Sequence, residues 1–299
     1  MRDKPVPLFI NPTAGHGRAG RRLETIIKLL HEGGVEIDVH PSKRMGDVER
    51  QVRTAIEDGA AQLIIAGGDG SIHEAVNGIM KAKGSAALGV IPTGTGNDFA
   101  KAAAIPLDWE TATRLLADRI AGKSLVRQVD AGRMNDRYFA NGAGVGFDAK
   151  VSRIARDLNW PIGDLVYLVA VFKAVADGII TPDMKISADG FAWDGPLTLA
   201  NVSNGPWVGG MFHIAPMADN ADGRLDLVIA APVSGFQIMG LLPKLIRGDH
   251  LDDARITHAS VRSLKITASA PVPSHLDGEV QPLGTSFDIE ILPAALSLI

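Results

Sequence analysis

The sequence predicts an α/β domain on a parallel sheet, followed by a second, mostly antiparallel β domain with a sandwich as its favoured form. Three observations carry this. Up to residue 105, short apolar runs alternate with helix-period stretches, the order of parallel strands joined by crossover helices. After about Asp130 the runs become short and β-like, divided by Gly, Pro and Asp-Gly turns. The length, 299 residues, exceeds what one core usually serves. Two domains are therefore expected, residues 1–130 and 131–291.

Val6–Ile10 reads as the first strand. Residues 19–30 follow as an amphipathic helix with Leu23, Ile26, Ile27 and Leu30 on one face. Residues 35–40 are the next strand and 48–58 the next helix, ending at Gly59. Residues 63–66 form a strand running into Gly-Gly-Asp-Gly-Ser, and 72–81 a helix. Residues 87–91 form a strand running into Pro-Thr-Gly-Thr-Gly-Asn-Asp. In the second half, 137–140, 184–188, 197–203, 225–230, 261–268 and 287–291 read as short strands. Two helical stretches, 164–177 and 235–247, interrupt them. No repeat or low-complexity segment is present.

Apolar residues make up 46% and charged residues 21%, an ordinary soluble composition. Thirty basic against 34 acidic residues give a net charge of −4, so no nucleic-acid partner is expected. The absence of cysteine excludes disulfides, a thiol nucleophile and a cysteine zinc site. The opening MRDKPVPLFINP breaks its short apolar stretch at Asn-Pro and does not read as a secretory signal. The longest uncharged apolar run, residues 165–172, falls far short of the roughly 20 residues that span a bilayer. A cytoplasmic protein is expected, with any membrane contact peripheral.

Three glycine loops end three of the predicted parallel strands: NPTAG, GGDGS and PTGTGND. Open α/β sheets bind ligands at that end of their strands. Backbone N–H groups at a following helix start favour phosphate, and small residues let it approach. One such loop alone is an ordinary βα turn; three in successive units, two of them carrying an Asp, point to phosphate binding. Gly15-His16-Gly17-Arg18-Ala19-Gly20 also matches the dinucleotide fingerprint GxGxxG, with Asp38 about 20 residues on. There the strand runs straight into the first Gly, whereas residues 11–14 intervene here, so a dehydrogenase is a minor alternative. Gly122-Lys123-Ser124 resembles a Walker tail, but Ala117 stands where its first Gly belongs. No Gly-x-Ser-x-Gly elbow or HExxH occurs. Of eight histidines, His73 and His275 alone lie inside glycine-rich motifs.

GGDGSIHEAVNGI, then PTGTGNDFA, after NPTAG, resembles the diacylglycerol-kinase catalytic family, which includes bacterial soluble lipid kinases and sphingosine and ceramide kinases. The resemblance continues through VDAGRMNDRYFANGAGVGFDA, ADNADGRLDL and HLDGE, and so covers essentially the whole chain. It implies an α/β nucleotide domain, similar to that of NAD kinases, then a β-sandwich lipid-substrate domain. It further implies an active site in the cleft between them, with residues 292–299 returning to the first. By this resemblance Asn11, Pro12, Thr13, Ala14, Gly15, Ser42, Gly67, Gly68, Asp69, Gly70, Ser71, Ile72, His73, Thr95 and Asn97 bind ATP. Asp69, Asp98 and Asp130 surround Mg²⁺ and its waters. Asp222, with the carbonyls of Asp219 and Arg224, forms a second, structural metal site. Asp277 and Glu279 supply the catalytic base, without a choice between them.

The chain departs from the family pattern at Ser71, where Thr is usual, and at His73, where Asn is usual. Phosphoryl transfer needs charge neutralisation, in-line positioning and a base for the attacking hydroxyl, which suits this residue set. Residues 165–176 are strongly apolar with Lys173 near their end, and LLPKLIRG mixes Leu and Ile with Lys244 and Arg247. Such stretches suit either an interfacial helix on an anionic membrane or a helix packed on the sandwich. The expected activity is an ATP- and Mg²⁺-dependent lipid kinase, peripherally membrane-associated, as a monomer or a homodimer. Alternatives are an NAD kinase-type phosphotransferase and a non-catalytic lipid or nucleotide sensor.

Overall fold

The computed structural model describes residues 4–122, 126–158, 160 and 163–299, so Lys123 and Ser124 of the Walker-like tail lie outside the described residues. The chain forms two compact units. One runs to Val129 and takes in Ala294–Ile299; the other is Asp130–Pro293.

The first unit contains β1 (Val6–Ile10), α1 (Ala14–Glu32), β2 (Ile37–Pro41), α2 (Asp47–Glu57), β3 (Gln62–Gly67), α3 (Asp69–Lys81), β4 (Ala87–Pro92), α4 (Asp98–Ala102) and α5 (Trp109–Ala121). Its strands are parallel in the order β2-β1-β3-β4. Helices cover both faces of such a sheet, which is why β3 and β4 are continuous apolar runs rather than alternating ones. Leu8, Ile10, Ile64, Ala66 and Ile91 of the sheet pack with Ile26 and Leu30 of α1 and Leu116 of α5. The amphipathic face read at 19–30 thus points into the core. The second strand starts later than expected, at Ile37, because Gly34 (φ 80°) turns the chain and Val35 N–H closes back on Leu30 O at 2.9 Å.

The second unit is built from β5 (Arg127–Met134, entered from the first unit), β6 (Arg137–Phe139), β7 (Gly142–Gly146), α6 (Phe147–Leu158), α7 (Leu165–Ala176), β8 (Asp183–Ala188), β9 (Phe191–Pro196), β10 (Leu199–Ser203), β11 (Leu225–Ala230), α8 (Gly235–Arg247), β12 (Ile256–Val261), β13 (Ser263–Leu276) and β14 (Glu279–Leu298). The pairings β10–β11, β10–β7, β11–β12, β13–β14, β13–β7, β13–β8, β5–β6 and β8–β9 are all antiparallel. β13 pairs with β8 through Leu264–Ala268 and with β7 through Ser274–Leu276. Register shifts between Thr267 and Ser274 bend it from one partner to the other, the device by which a strand changes layers in a sandwich. The sandwich core includes Val145, Ile186, Val202, Leu227, Ile266 and Phe287. The helices α6, α7 and α8 form a second apolar cluster around Val151, Ala170, Val171, Ala174, Ile238 and Leu242. The last residues of β14 belong to the first unit, where Ser297 and Leu298 pair in parallel with Ala87 and Leu88 of β4. Helix α6 and strands β5, β7, β9 and β12 are absent from the sequence-based expectation. Among the described residues no helix is long and apolar enough to cross a membrane.

Candidate active site

In the order β2-β1-β3-β4 the connections from β1 and β3 run opposite ways, so their carboxyl ends mark the switch point of the sheet, where such sheets bind ligands. NPTAG follows β1, GGDGS follows β3 and PTGTGND follows β4, so the three glycine loops stand at three adjacent strand ends. Asn11 Oδ1 accepts the Thr13 N–H at 3.0 Å and the Thr13 hydroxyl at 2.7 Å, which sets the first turn. Gly15, His16 and Gly17 then all take left-handed backbone, and regular helix begins only at Arg18. His16 pays for that conformation with strain that glycine avoids.

The other two loops touch backbone to backbone. A Cβ on Gly94 would lie 2.4 Å from Gly68 Cα, and one on Gly15 would lie 2.5 Å from the Thr93 carbonyl oxygen. Any side chain there would push the loops apart. The start of α3 has no side-chain cap, which leaves amide donors and the positive helix end for an anion. Asn97, left-handed at φ 52°, accepts the Gly94 N–H through Oδ1 at 3.1 Å and so holds the third loop shut. Ser42 N–H donates to Ile10 O at 2.8 Å, placing Ser42 beside the first loop. Ser71, Ile72 and His73 are buried in the first turns of α3, and the amide of Asn77 donates to the His73 carbonyl.

Asp69 begins α3 and Asp98 begins α4. Asp69 Oδ1 accepts the Phe99 N–H at 3.2 Å, and Asp98 Oδ1 meets Lys101 Nζ at 3.3 Å. Hard carboxylates beside a phosphate cradle suit Mg²⁺, which keeps several waters and substrate oxygens as ligands. Among the described residues no group of three acidic, His or Cys side chains forms a ready-made cage. One residue that ties these loops together escaped the sequence reading. Arg18 Nε donates to Gly15 O at 2.9 Å and Nη2 to Thr95 Oγ1 at 3.0 Å, bridging the first and third loops. A cation just inside the helix after a glycine loop was the available signal.

In the second unit, Asp277 and Gly278 form the two-residue turn between β13 and β14, both with positive φ (51° and 85°), as a primed hairpin turn requires. The Asp277 carboxylate is fully engaged. Oδ1 accepts the N–H groups of Asn141 (2.8 Å) and Gly142 (3.0 Å), and Oδ2 that of Ala140 (3.0 Å). Its own N–H returns a bond to Gly142 O at 2.8 Å. Glu279 is placed differently: it is partly exposed, with Arg156 Nη1 3.8 Å away. His275 is 1% exposed; its Nδ1 accepts the Gly278 N–H, so Nε2 carries the proton and points toward Asp148 Oδ2 at 3.6 Å. Asn201 donates to the same Asp148 oxygen at 3.3 Å. Gly144 makes room for this arrangement, since a Cβ there would overlap both Asp148 and His275.

Asp130 lies with the acidic turn of the second unit. Its Oδ2 accepts the Gly223 N–H at 2.7 Å, while Asp222 Oδ1 accepts the Arg224 N–H and Asp219 Oδ1 that of Ala221. Loss of water around its carboxyl, then the charges of Asp226, Asp219 and Asp130, push Asp222 above the ordinary carboxylate range. The Asp219, Asp222 and Asp130 carboxyls thus each accept a backbone N–H of this turn, and among the described residues they form no ready-made metal cage.

Asp148 and Asn201 also line a cavity of about 110 Å³. The rest of its wall is mostly apolar and includes Phe147, Val171, Phe212, Ile238 and Leu242.

Comparison with known proteins bears on the family and the fold. A model of the diacylglycerol kinase catalytic domain matches residues 5–134, and one described as a YegS C-terminal NAD kinase beta sandwich-like domain matches residues 142–299. A Pseudomonas aeruginosa protein named "Probable lipid kinase YegS-like" is 31% identical over 99% of this chain and 93% of its own length. A diacylglycerol kinase of Bacillus subtilis is 29% identical over 92% of this chain and 90% of its own. The crystal structure of a diacylglycerol kinase from Bacillus anthracis str. Sterne superposes with a TM-score of 0.76 over 100% of this chain and 97% of that one. At 23% identity it speaks for the fold alone.

Proposed function

Because the chain belongs to the diacylglycerol kinase catalytic family and is a kinase, we propose that it transfers the γ-phosphate of ATP to the hydroxyl of a lipid, diacylglycerol first. The observation that carries the nucleotide half is the set of three glycine loops at adjacent strand ends, closed on one another by Gly68, Gly94 and Arg18. Their amides and the uncapped start of α3 bind the phosphates, and Arg18 offers them a fixed positive charge. Asp69 and Asp98 are the residues that would hold Mg²⁺, which when bound neutralises charge on the transferring phosphoryl group.

The lipid half rests on the second unit. Its apolar cavity suits an acyl chain better than a dinucleotide, and Asp148 and Asn201 in its lining suit the polar end of such a molecule. The attacking hydroxyl must lose a proton as the new O–P bond forms, and Glu279 is the acid available to take it. Asp277, with both oxygens already accepting N–H bonds, acts instead as a positioning residue that fixes the β6–β7 connection under the hairpin. Incubation with γ-labelled ATP, Mg²⁺ and diacylglycerol in mixed micelles, with NAD in parallel, tests this reading. Label in the lipid supports it; label in NAD alone overturns it.

A further inference from the structure

Helix α7 is apolar on every side. Ala170, Val171 and Ala174 turn inward onto α6 and α8. Leu165 and Phe172, at i and i+7, lie outside that cluster and are 54% and 52% exposed. A helix on the surface of a soluble domain normally carries polar residues there, whereas Lys173 is the one charged residue in the twelve of α7.

Helix α8 adds to the same face. A Cβ on Gly235 would sit 2.6 Å from Val175 Cγ1 and 4.0 Å from Ile179 Cδ1, so the start of α8 abuts the end of α7. Phe236, next in sequence, is 92% exposed, and Ile180, just past α7, is 77% exposed. Beneath this face, Tyr167 and Val171 of α7 and Ile238 and Leu242 of α8 line the apolar cavity. The patch and the cavity are two sides of the same pair of helices.

We propose that the outer face of α7 and α8 docks on a lipid bilayer, with Leu165, Phe172, Ile180 and Phe236 inserted among the acyl chains and the cavity mouth turned to the membrane. This rests on the lipid-kinase reading, which makes the bilayer the store from which the cavity must fill. The cations of α8 do not drive the docking, because Lys244 meets Asp253 at 3.3 Å and Arg247 meets Asp249 at 3.0 Å. The attraction is apolar, so it holds on neutral vesicles and at high salt, where a charge-driven contact would be screened.

The test is flotation of the full chain with phosphatidylcholine vesicles, comparing wild type with Phe172→Ser/Phe236→Ser. Wild type should float with the vesicles equally at low and high salt, and the double variant should partition at least about tenfold less. Both should fold with the same thermal midpoint and phosphorylate monomeric, water-soluble dihexanoylglycerol at similar rates, since neither phenylalanine lines the cavity. Equal flotation of the two proteins overturns the proposal. So does a wild-type dimer in vesicle-free buffer that the variant abolishes while flotation persists, which assigns the face to a second copy. Loss of flotation with no phosphorylation of any diacylglycerol by either protein upholds the docking face and overturns the kinase reading instead.

Discussion

Arg18 and Thr95 meet at 3.0 Å, guanidinium to hydroxyl, and that bond ties the loop after β1 to the loop after β4. The same guanidinium donates to Gly15 O, so two of its donor positions are spent on holding the cradle. A planar fork can do this and still face an anion, whereas a lysine has a single point of charge. Arg18→Ala should therefore raise the KM for ATP by about 10–100-fold, the size of a lost charge-assisted hydrogen bond, with a smaller effect on kcat. Arg18→Lys should recover part of the affinity. Steady-state kinetics with ATP as the varied substrate reads both. A fall in thermal stability with an unchanged KM would make Arg18 merely structural.

Asp277 and Glu279 should separate on mutation. Asp277→Asn replaces an accepting oxygen with a donor that faces backbone N–H groups, at a cost of about 1–3 kcal/mol. For a chain of this size that lowers the melting temperature by several degrees. Glu279→Gln should leave the melting temperature alone and lower kcat by about 10²-fold or more. Nucleotide titration should show ATP binding intact in both, since neither residue belongs to a phosphate loop. Full turnover by Glu279→Gln would place the base elsewhere.

The contrast shows what can be read from a chain and what cannot. The fold class was legible because β1, β3 and β4 are compact apolar runs that stop at Asn-Pro, glycine and proline respectively, a local signal. The clamp on Asp277 was not, because its donors lie at residues 140–142, far upstream, and meet it only through the pairing of β13 with β7. Helix α6 was missed because it follows β7, Gly-Ala-Gly-Val-Gly, which carries almost no side-chain pattern and owes its strand character to neighbours on both sides. The full lengths of β13 and β14 were hidden by Pro271, Pro273, Pro282 and Pro293, which read as strand ends.

The acidic turn supplies a pH and metal prediction. A carboxyl whose pKa is raised by folding costs stability when ionised, and that cost disappears as pH falls through the raised value. In chelator-treated protein, Asp222→Asn should thus be neutral or stabilising near pH 7, and its advantage should vanish on acidification. Adding Mg²⁺ or Ca²⁺ should raise the melting temperature of wild type and not of the variant. Equal responses of the two proteins would leave the turn without a metal.

Val171 projects into the apolar cavity, so Val171→Phe should shorten the chain it accepts. The expected result is a preserved rate with short-chain diacylglycerol and a loss of about tenfold or more with long-chain substrate in micelles. An equal loss with both would place the acyl chain elsewhere.

The central claim is phosphoryl transfer from ATP, held by the glycine loops, to a lipid hydroxyl. Its most direct test is the transfer of label from γ-labelled ATP and Mg²⁺ to diacylglycerol in mixed micelles, by wild type and by Asp69→Ala. The account predicts a labelled phospholipid product with wild type and less than a tenth of that rate with the variant, at unchanged circular dichroism. An unlabelled lipid fraction with wild type, or full activity in Asp69→Ala, would contradict it.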